Sequence, residues 1–397
     1  MASPCMWTRG ARLELGWSVK VSSRRPRLLR SFGFSGTSAC AVALSRSRTP
    51  TPRQSSRGAS AMACATNGTP GLVPAVAAAS ALAKHGISIA PIEPLGARVT
   101  GLDLRTTPPE EVLNILEQEM ANRGFLVFGD QGVLSGDEQV HASKLWGARE
   151  MHSTHGVHPK APNRHIFRLS NDPSVGITGV GPQWHNDGSF EVAVFSHVGY
   201  HIIRVPEHGG DTQFVHQGAA FDSLPKEKQE YWSRLVSVNA TSGVLHPMVH
   251  DHPISGRRSV YLHLGMTGGI LEKSGEGFRL LEEQELLDVF RSYNALLNAG
   301  SEKGYGISYP YHEGDCIFID NLAIAHRAAP EAHLDQRKQG LRILHRTTVK
   351  SPREFLPPFG LPAVATQQLL EKADRGQGVF VAGGLGFRWD PDIHMQN

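Results

Sequence analysis

The sequence predicts a mainly β protein with flanking helices, a closed or double-sheet β architecture such as a jelly roll. Three observations predict it. Many short β-branched and aromatic runs are broken by Gly and Pro, only a few segments carry a helical period, and no linker interrupts the span from residue 87 to 350.

Ordered sequence starts at Ile87-Ser88-Ile89-Ala90, a short alternating strand pattern. Thr107-Pro108-Pro109 opens a helix whose Val112, Leu113, Leu116 and Met120 share one face, and Gly124 closes it. A buried strand follows, Phe125-Leu126-Val127-Phe128. Ser135 and Glu138 form a capping-box pattern ahead of a helix bearing Val140, Leu145 and Trp146. A further helix is expected from Leu280 to Leu297. The β-rich runs are Ile166–Leu169, Val192–Val205, Thr212–Val215, Val260–Leu264, Cys316–Asp320 and Leu341–Val349. There is no internal repeat.

Hydrophobic residues at 40% and charged residues at 19% describe a globular chain with material for a large core, which excludes disorder throughout. The net charge of +3 conceals an asymmetry. Residues 1–60 hold ten Arg and Lys20 against Glu14 alone, so of the 40 basic and 37 acidic residues, 29 and 36 remain for the body. Charge therefore gives no reason to expect a nucleic-acid partner. The leader, poor in acids and rich in Ser, Arg, Ala and Thr, reads as a transit peptide over residues 1–64, directing the chain to a plastid or, as the alternative, a mitochondrion. Residues 65–86 read as a flexible linker, 87–350 as one catalytic domain and 351–397 as a C-terminal extension.

Cys5, Cys40 and Cys64 fall in the leader and only Cys316 in the body, so no disulfide framework is expected in the mature chain. The longest small-apolar stretch, Gly71–Ala83, is well short of the roughly 20 residues of a membrane helix, and no transmembrane segment is expected.

The chemistry concentrates in Gln183-Trp184-His185-Asn186-Asp187-Gly188-Ser189-Phe190. In extended backbone, residues i and i+2 share a face, so His185 and Asp187 converge while Trp184 and Asn186 turn away. An imidazole and a carboxylate so placed can hold two neighbouring positions around a metal. A second imidazole completes the two-histidine, one-carboxylate face of non-haem iron(II) oxygenases, with the opposite positions open. In a chain with 20 histidines the tripeptide alone is weak evidence, since most such pairs are surface hydrogen bonds. The candidate third ligand is His326, placed just past the apolar run Ile317-Phe318-Ile319 and thus at the mouth of a barrel; otherwise it caps a loop.

Downstream lies Leu341-Arg342-Ile343-Leu344-His345-Arg346-Thr347-Thr348-Val349. On a strand, Arg342 and Arg346 share a face with Leu344. Two guanidiniums aimed into one interior demand anions, because an unpaired buried charge costs several kcal/mol. The alternative is an exposed edge strand with solvated arginines.

These residues resemble the taurine dioxygenase and phenoxyacetate-herbicide dioxygenase family of 2-oxoglutarate enzymes. The resemblance spans about residues 90–350 and rests on Trp-His-Asn-Asp-Gly-Ser-Phe at 184–190, Gly-Gly-Asp-Thr at 209–212, Asp-Asn with His at 320–326, and Arg-Ile-Leu-His-Arg at 342–346. It implies a double-stranded β-helix, a jelly-roll barrel with flanking helices. It implies His185, Asp187 and His326 as Fe(2+) ligands, and Thr212 and Arg342 as the residues holding the distal carboxylate of the cosubstrate 2-oxoglutarate. Arg346 matches a position that reaches the anionic head of the primary substrate. His155 or His158, in Met151-His152-Ser153-Thr154-His155-Gly156-Val157-His158-Pro159, would answer to an upstream substrate-contacting histidine. The chain departs from the taurine enzyme by an apparent insertion at Ala332–Gln339 and by Val180-Gly181-Pro182-Gln183 ahead of Trp184. Both leave the metal chemistry intact and put taurine in doubt.

The implied reaction consumes O2 and 2-oxoglutarate, gives succinate and CO2, and hydroxylates or desaturates a small anionic substrate bearing a carboxylate or sulfonate. In a plastid, a tetrapyrrole propionate desaturated as in chlorophyll c formation is an alternative substrate. A reading of another class is a zinc-binding β-barrel, either a hydrolase or an inactive binding protein. Thr212 and Arg342 speak against it, because a hydrolase has no use for a buried dicarboxylate.

Overall fold

The computed structural model describes residues 75–152, 156–240, 242–275 and 277–352, with the strand pair Phe380–Val381 and Gly384–Leu385. The expected leader and most of the C-terminal extension lie outside the described residues. An eight-stranded major sheet runs in the order Ser88–Pro91, Ala97–Thr100, Phe125–Phe128, Cys316–Asp320, Phe195–Arg204, Ile343–Lys350, with Met151–His152 and Phe167–Ser170 both paired along the last strand. All its pairings are antiparallel except that of Ala97–Thr100 with Phe125–Phe128. A three-stranded minor sheet, Gly306–Tyr309, Thr212–His216 and Ile324–Ala328, packs on one face of it. These two sheets are stacked face to face.

The period of two along each strand explains the unbroken apolar runs. Phe125, Val127, Ile317 and Ile319 point into the space between the sheets and meet Phe214, Tyr309 and Ile324 of the minor sheet. Their neighbours Leu126, Phe128, Cys316 and Phe318 point the other way, onto a helical layer containing Leu82, Leu116 and Trp146. A strand buried on both faces needs apolar residues at every position. Phe125 anchors the inter-sheet core, its ring 4.9 Å from that of Phe214 and 5.5 Å from that of Tyr309.

The helices open at or near the expected caps. Glu110–Arg123 ends at Gly124, whose φ of 91° is open to glycine and whose N–H donates to Met120 O at 2.7 Å. A Cβ there would also fall 2.2 Å from Ile324 Cδ1, so this helix end sits directly on the strand carrying His326. The Ser135–Glu138 capping box is present and opens Gly136–Ser143. The helix expected from Leu280 starts at Glu283, because Glu282 and Glu285 form their own capping box. It packs, with the four-stranded sheet of Leu235–Asn239, Leu245–Pro247, Thr267–Ser274 and Gly277–Leu280, over the outer face of the minor sheet.

Four expectations are corrected. The helix opened at Ser135 ends at Ser143, so Leu145 and Trp146 lie beyond it. Part of the linker is ordered: Ala75–Ala83 is a helix, held by buried Ala78 and Leu82. The run Val260–Leu264 is strand only at its start, within Arg258–Val260; beyond it the backbone is irregular and Leu264 N donates to Trp184 O at 3.2 Å. His326 does not follow a strand end but lies within its own strand, Ile324–Ala328.

Several buried histidines hold the fold in its neutral form. Burial pulls His216 and His246 down to about 4 and His250 to about 3, from an ordinary value near 6.5. His216 uses its neutral ring fully, Nδ1 accepting from Ala219 N and Nε2 facing Asn122 O at 3.2 Å. Because the unfolded chain binds these protons first, their share of stability is complete above pH 6.5 and is lost as pH falls toward 4, at about 1.4 kcal/mol per pH unit for each ring. Urea midpoints are expected to drop steeply from pH 6.5 to 5, and His250→Leu is expected to flatten that slope by one proton's share. An unchanged slope in that variant would show that His250 is not a source of it.

Candidate metal centre

The segment carrying His185 and Asp187 is not a full strand. A single antiparallel bridge joins it to the minor sheet, with His185 N donating to His326 O at 3.1 Å and His326 N to His185 O at 2.9 Å. That pairing sets the two imidazoles side by side, 4.3 Å between ring centroids. Asp187 opens the turn that follows, and its carboxylate still reaches the same side. Its Oδ1 lies 3.9 Å from His185 Nε2 and its Oδ2 3.8 Å from His326 Nε2. All three ligand atoms fall within 4.8 Å of one another, and among the described residues no other group of three His, Cys, Asp or Glu does so. Ligands at adjacent positions of an ion with bonds of roughly 2.1 Å stand about 3 Å apart, so a slight contraction brings this set into contact with one.

Protonation suits the same purpose. His185 Nδ1 lies 2.7 Å from Gln183 O, which can only accept, so Nδ1 carries the hydrogen and Nε2 offers its lone pair inward. Burial lowers the pKa of His185 and takes that of His326 well below its ordinary value, outweighing the opposite pull of Asp187. Neutral imidazoles are the form that binds metal. Among the described residues His326 Nε2, the nitrogen that faces Asp187, has no hydrogen-bond partner, as expected of an atom left for an ion.

The residues that turn away lock the segment in place. Asn186, fully buried, donates to Gln217 Oε1, Asn321 O and Ile324 O at 2.8, 2.6 and 2.9 Å. Asn321 holds Asp187 from both sides, accepting from its N–H at 2.9 Å and donating to its O at 2.8 Å. Trp184 donates to Asn298 Oδ1 at 2.9 Å and lies under the Arg327 guanidinium. Asp320, which is held down to about 2 by the His252 pair and backbone N–H groups despite its burial, braces the turn ahead of the His326 strand.

One cavity gathers His185, His326, Thr212, Tyr200, Arg342 and Arg346. Arg342 and Arg346 point to the same side as Leu344, as alternation requires. Thr212 accepts a short hydrogen bond from Tyr311, whose phenol burial keeps neutral, so the threonine's own hydrogen can point into the cavity. Arg346 donates from Nη1 to Asp187 Oδ1 at 2.9 Å and stacks on Phe167. Its Nε and Nη2 are buried without a hydrogen-bond partner among the described residues. The arginine expected at the substrate's anion is therefore bonded to the carboxylate of Asp187 as well.

His155 lies outside the described residues. His158 does not line the cavity; its Nδ1 accepts from Lys160 N at 3.1 Å and closes a turn. Sequence reasoning missed Tyr311, His333 and the half-buried His263, whose ring centroid is 5.0 Å from that of His185. For Tyr311 the only signal was its place in an aromatic run with Tyr309; for His333, its place in the insertion.

Known proteins are similar to this chain in sequence and in fold. An α-ketoglutarate-dependent 2,4-dichlorophenoxyacetate dioxygenase of Cupriavidus pinatubonensis is 25% identical over 276 residues, 60% of this chain and 90% of that protein. An α-ketoglutarate-dependent sulfonate dioxygenase of Saccharomyces cerevisiae is 26% identical over 278 residues, 63% of this chain and 64% of the yeast protein, slightly under two thirds of it. Among solved structures, AAD-2 in complex with Mn(II) and N-oxalylglycine aligns with a TM-score of 0.55 at 21% identity, over 68% of this chain and 99% of that one, which shows a common fold of the jelly-roll type. The residues present fit a metal ion and 2-oxoglutarate (α-ketoglutarate) as cofactor and cosubstrate. The profile of the taurine catabolism dioxygenase TauD, TfdA family matches residues 88–348, and the chain belongs to that family, as a 2-oxoglutarate-dependent dioxygenase.

Proposed function

We propose that this chain binds iron(II) through His185, Asp187 and His326 and 2-oxoglutarate through Thr212 and Arg342, and that it hydroxylates or desaturates a small organic anion bearing a carboxylate or sulfonate. The observation that carries this reading is the single cavity in which two imidazoles of the ligand set, a threonine hydroxyl and two buried guanidiniums meet. Relatives whose names specify an aryloxyacetate and sulfonates point to the same substrate chemistry. Within this reading the leader takes the protein to a plastid, where a tetrapyrrole propionate is a further candidate with the same anionic group.

The bound metal supplies the oxidative chemistry with O2 and 2-oxoglutarate. The protein's share is positioning. Arg342 is buried, and its lowered pKa reflects that burial, yet it stays cationic and holds a carboxylate by its planar fork. Thr212 donates its hydroxyl hydrogen to the same group. Arg346 fixes the orientation of Asp187 with one nitrogen and presents the rest of its edge to the substrate's anion. Tyr200 and Leu344 line the same cavity and add apolar surface beside the two arginines.

The primary test exposes iron(II)-loaded protein to O2 with 2-oxoglutarate and a panel of aryloxyacetates, alkylsulfonates, sulfate esters and tetrapyrrole carboxylates. Succinate is expected in step with a product that has gained one oxygen or lost two hydrogens. Asp187→Ala should lower succinate formation by more than about 100-fold, beyond the loss typical of an outer-shell partner. Absence of succinate from the wild-type protein across the whole panel would sink the reading.

Arg346→Gln separates the two roles of that arginine. Its loss is expected to weaken iron(II) binding about 10- to 100-fold, as for a group that orients a ligand. The anionic-substrate KM should rise while the 2-oxoglutarate KM moves less. Anaerobic metal titration and paired steady-state kinetics check this; unaltered iron affinity would dismiss the orienting role.

A further inference from the structure

The chain between His326 and Arg342 is not a loose loop. It folds as a turn, Pro330–His333, and a short helix, Gln336–Gln339. Glu207 N and His208 N donate to Gln339 O at 2.7 and 3.3 Å, and Asn171 Nδ2 donates to Leu334 O and Gly340 O at 3.3 and 2.8 Å. Ala332 is buried, and Gln336 binds Asp172 Oδ2 at 2.8 Å. A segment fastened at this many points holds its side chains in fixed positions.

What it carries to the cavity is His333. The ring lines the same wall as Arg342, close enough to feel that arginine's charge, and Nε2 is buried without a hydrogen-bond partner among the described residues. Its place along the cavity follows from register. Thr212 is paired with Ala328, two residues along the strand from His326, so it stands roughly 7 Å further along the ladder than the His326 pair, an offset suited to a five-carbon dicarboxylate. Ala329 N donates to Asp211 O at 3.0 Å, so the turn bearing His333 departs beside Thr212, at the end of the cavity away from the ion.

The donor count at that end leaves room for one more. A carboxylate offers about four lone-pair positions. The Arg342 fork can fill two and the Thr212 hydroxyl a third, since its oxygen already accepts from Tyr311. We propose that His333 donates from Nε2 to the remaining position, as a third residue binding the distal carboxylate of 2-oxoglutarate, and that it limits how long a 2-oxo diacid the cavity accepts. This rests on the reading that 2-oxoglutarate occupies the Thr212–Arg342 end.

The test is anaerobic calorimetric titration of the full iron(II)-loaded chain with 2-oxoglutarate and with 2-oxoadipate, for wild type, His333→Ala and His333→Gln. His333→Ala should bind 2-oxoglutarate about tenfold more weakly, the worth of one charge-assisted hydrogen bond, and narrow the preference over 2-oxoadipate; His333→Gln, which keeps a donor, should recover most of the affinity. In turnover, the 2-oxoglutarate KM should rise while the primary-substrate KM holds. Equal affinity in wild type and His333→Ala overturns the proposal, as does an equal loss in both variants with a lowered Tm, which would mark a merely structural role. Failure of the wild-type protein to bind 2-oxoglutarate would instead remove the underlying functional reading.

Discussion

Burying a carboxylate and two guanidiniums in one apolar interior is the constraint around which the rest of the structure is arranged. Such charges are tolerated only with partners fixed in good geometry. Arg346 and Asp187 pair directly through Nη1 and Oδ1, which leaves Arg346 Nε and Nη2 for a further anion. Arg342 stands beside the neutral phenol of Tyr311 and the hydroxyl of Thr212, a set that a carboxylate would complete. The surrounding apolar strands give these polar contacts their strength by keeping the local dielectric low.

The scaffold answers that demand with rigidity. Asn186, Gln217 and Asn321 form a buried amide network in which each side chain has its partner, and it ties the ligand-bearing segment to the strand of His326. Gly124 presses the helical layer onto that same strand, and its O accepts from Asp320 N at 2.9 Å. Layers that look independent along the chain therefore share one junction behind the site.

Sequence reasoning reached what depends on local spacing. His185 with Asp187, Arg342 with Arg346, the capping box at Ser135 and the glycine stop at Gly124 all follow from periods of two or from cap chemistry. It fell short where pairing partners decide. Ile324–Ala328 is rich in alanine and becomes a strand through its ladder with Thr212–His216, so His326 could be named as a ligand but not placed on a strand. Val260–Leu264 has strand composition, yet its backbone is drawn to Trp184. His333 joins the cavity through the docking of the insertion and Tyr311 backs it through a hydrogen bond to Thr212, neither of which leaves a local trace.

The wide separation of the ligands along the chain has a kinetic meaning. Asn186 and Ile324, bonded at the heart of the site, stand 138 residues apart in sequence, with the four-stranded sheet and the Glu283–Asn298 helix between them. Contacts of such long range form late, after the entropy of a large loop has been overcome. A partly folded chain that lacks this contact also lacks the juxtaposition of His185 and Asp187 with His326, so a complete ligand set belongs to the closed fold alone.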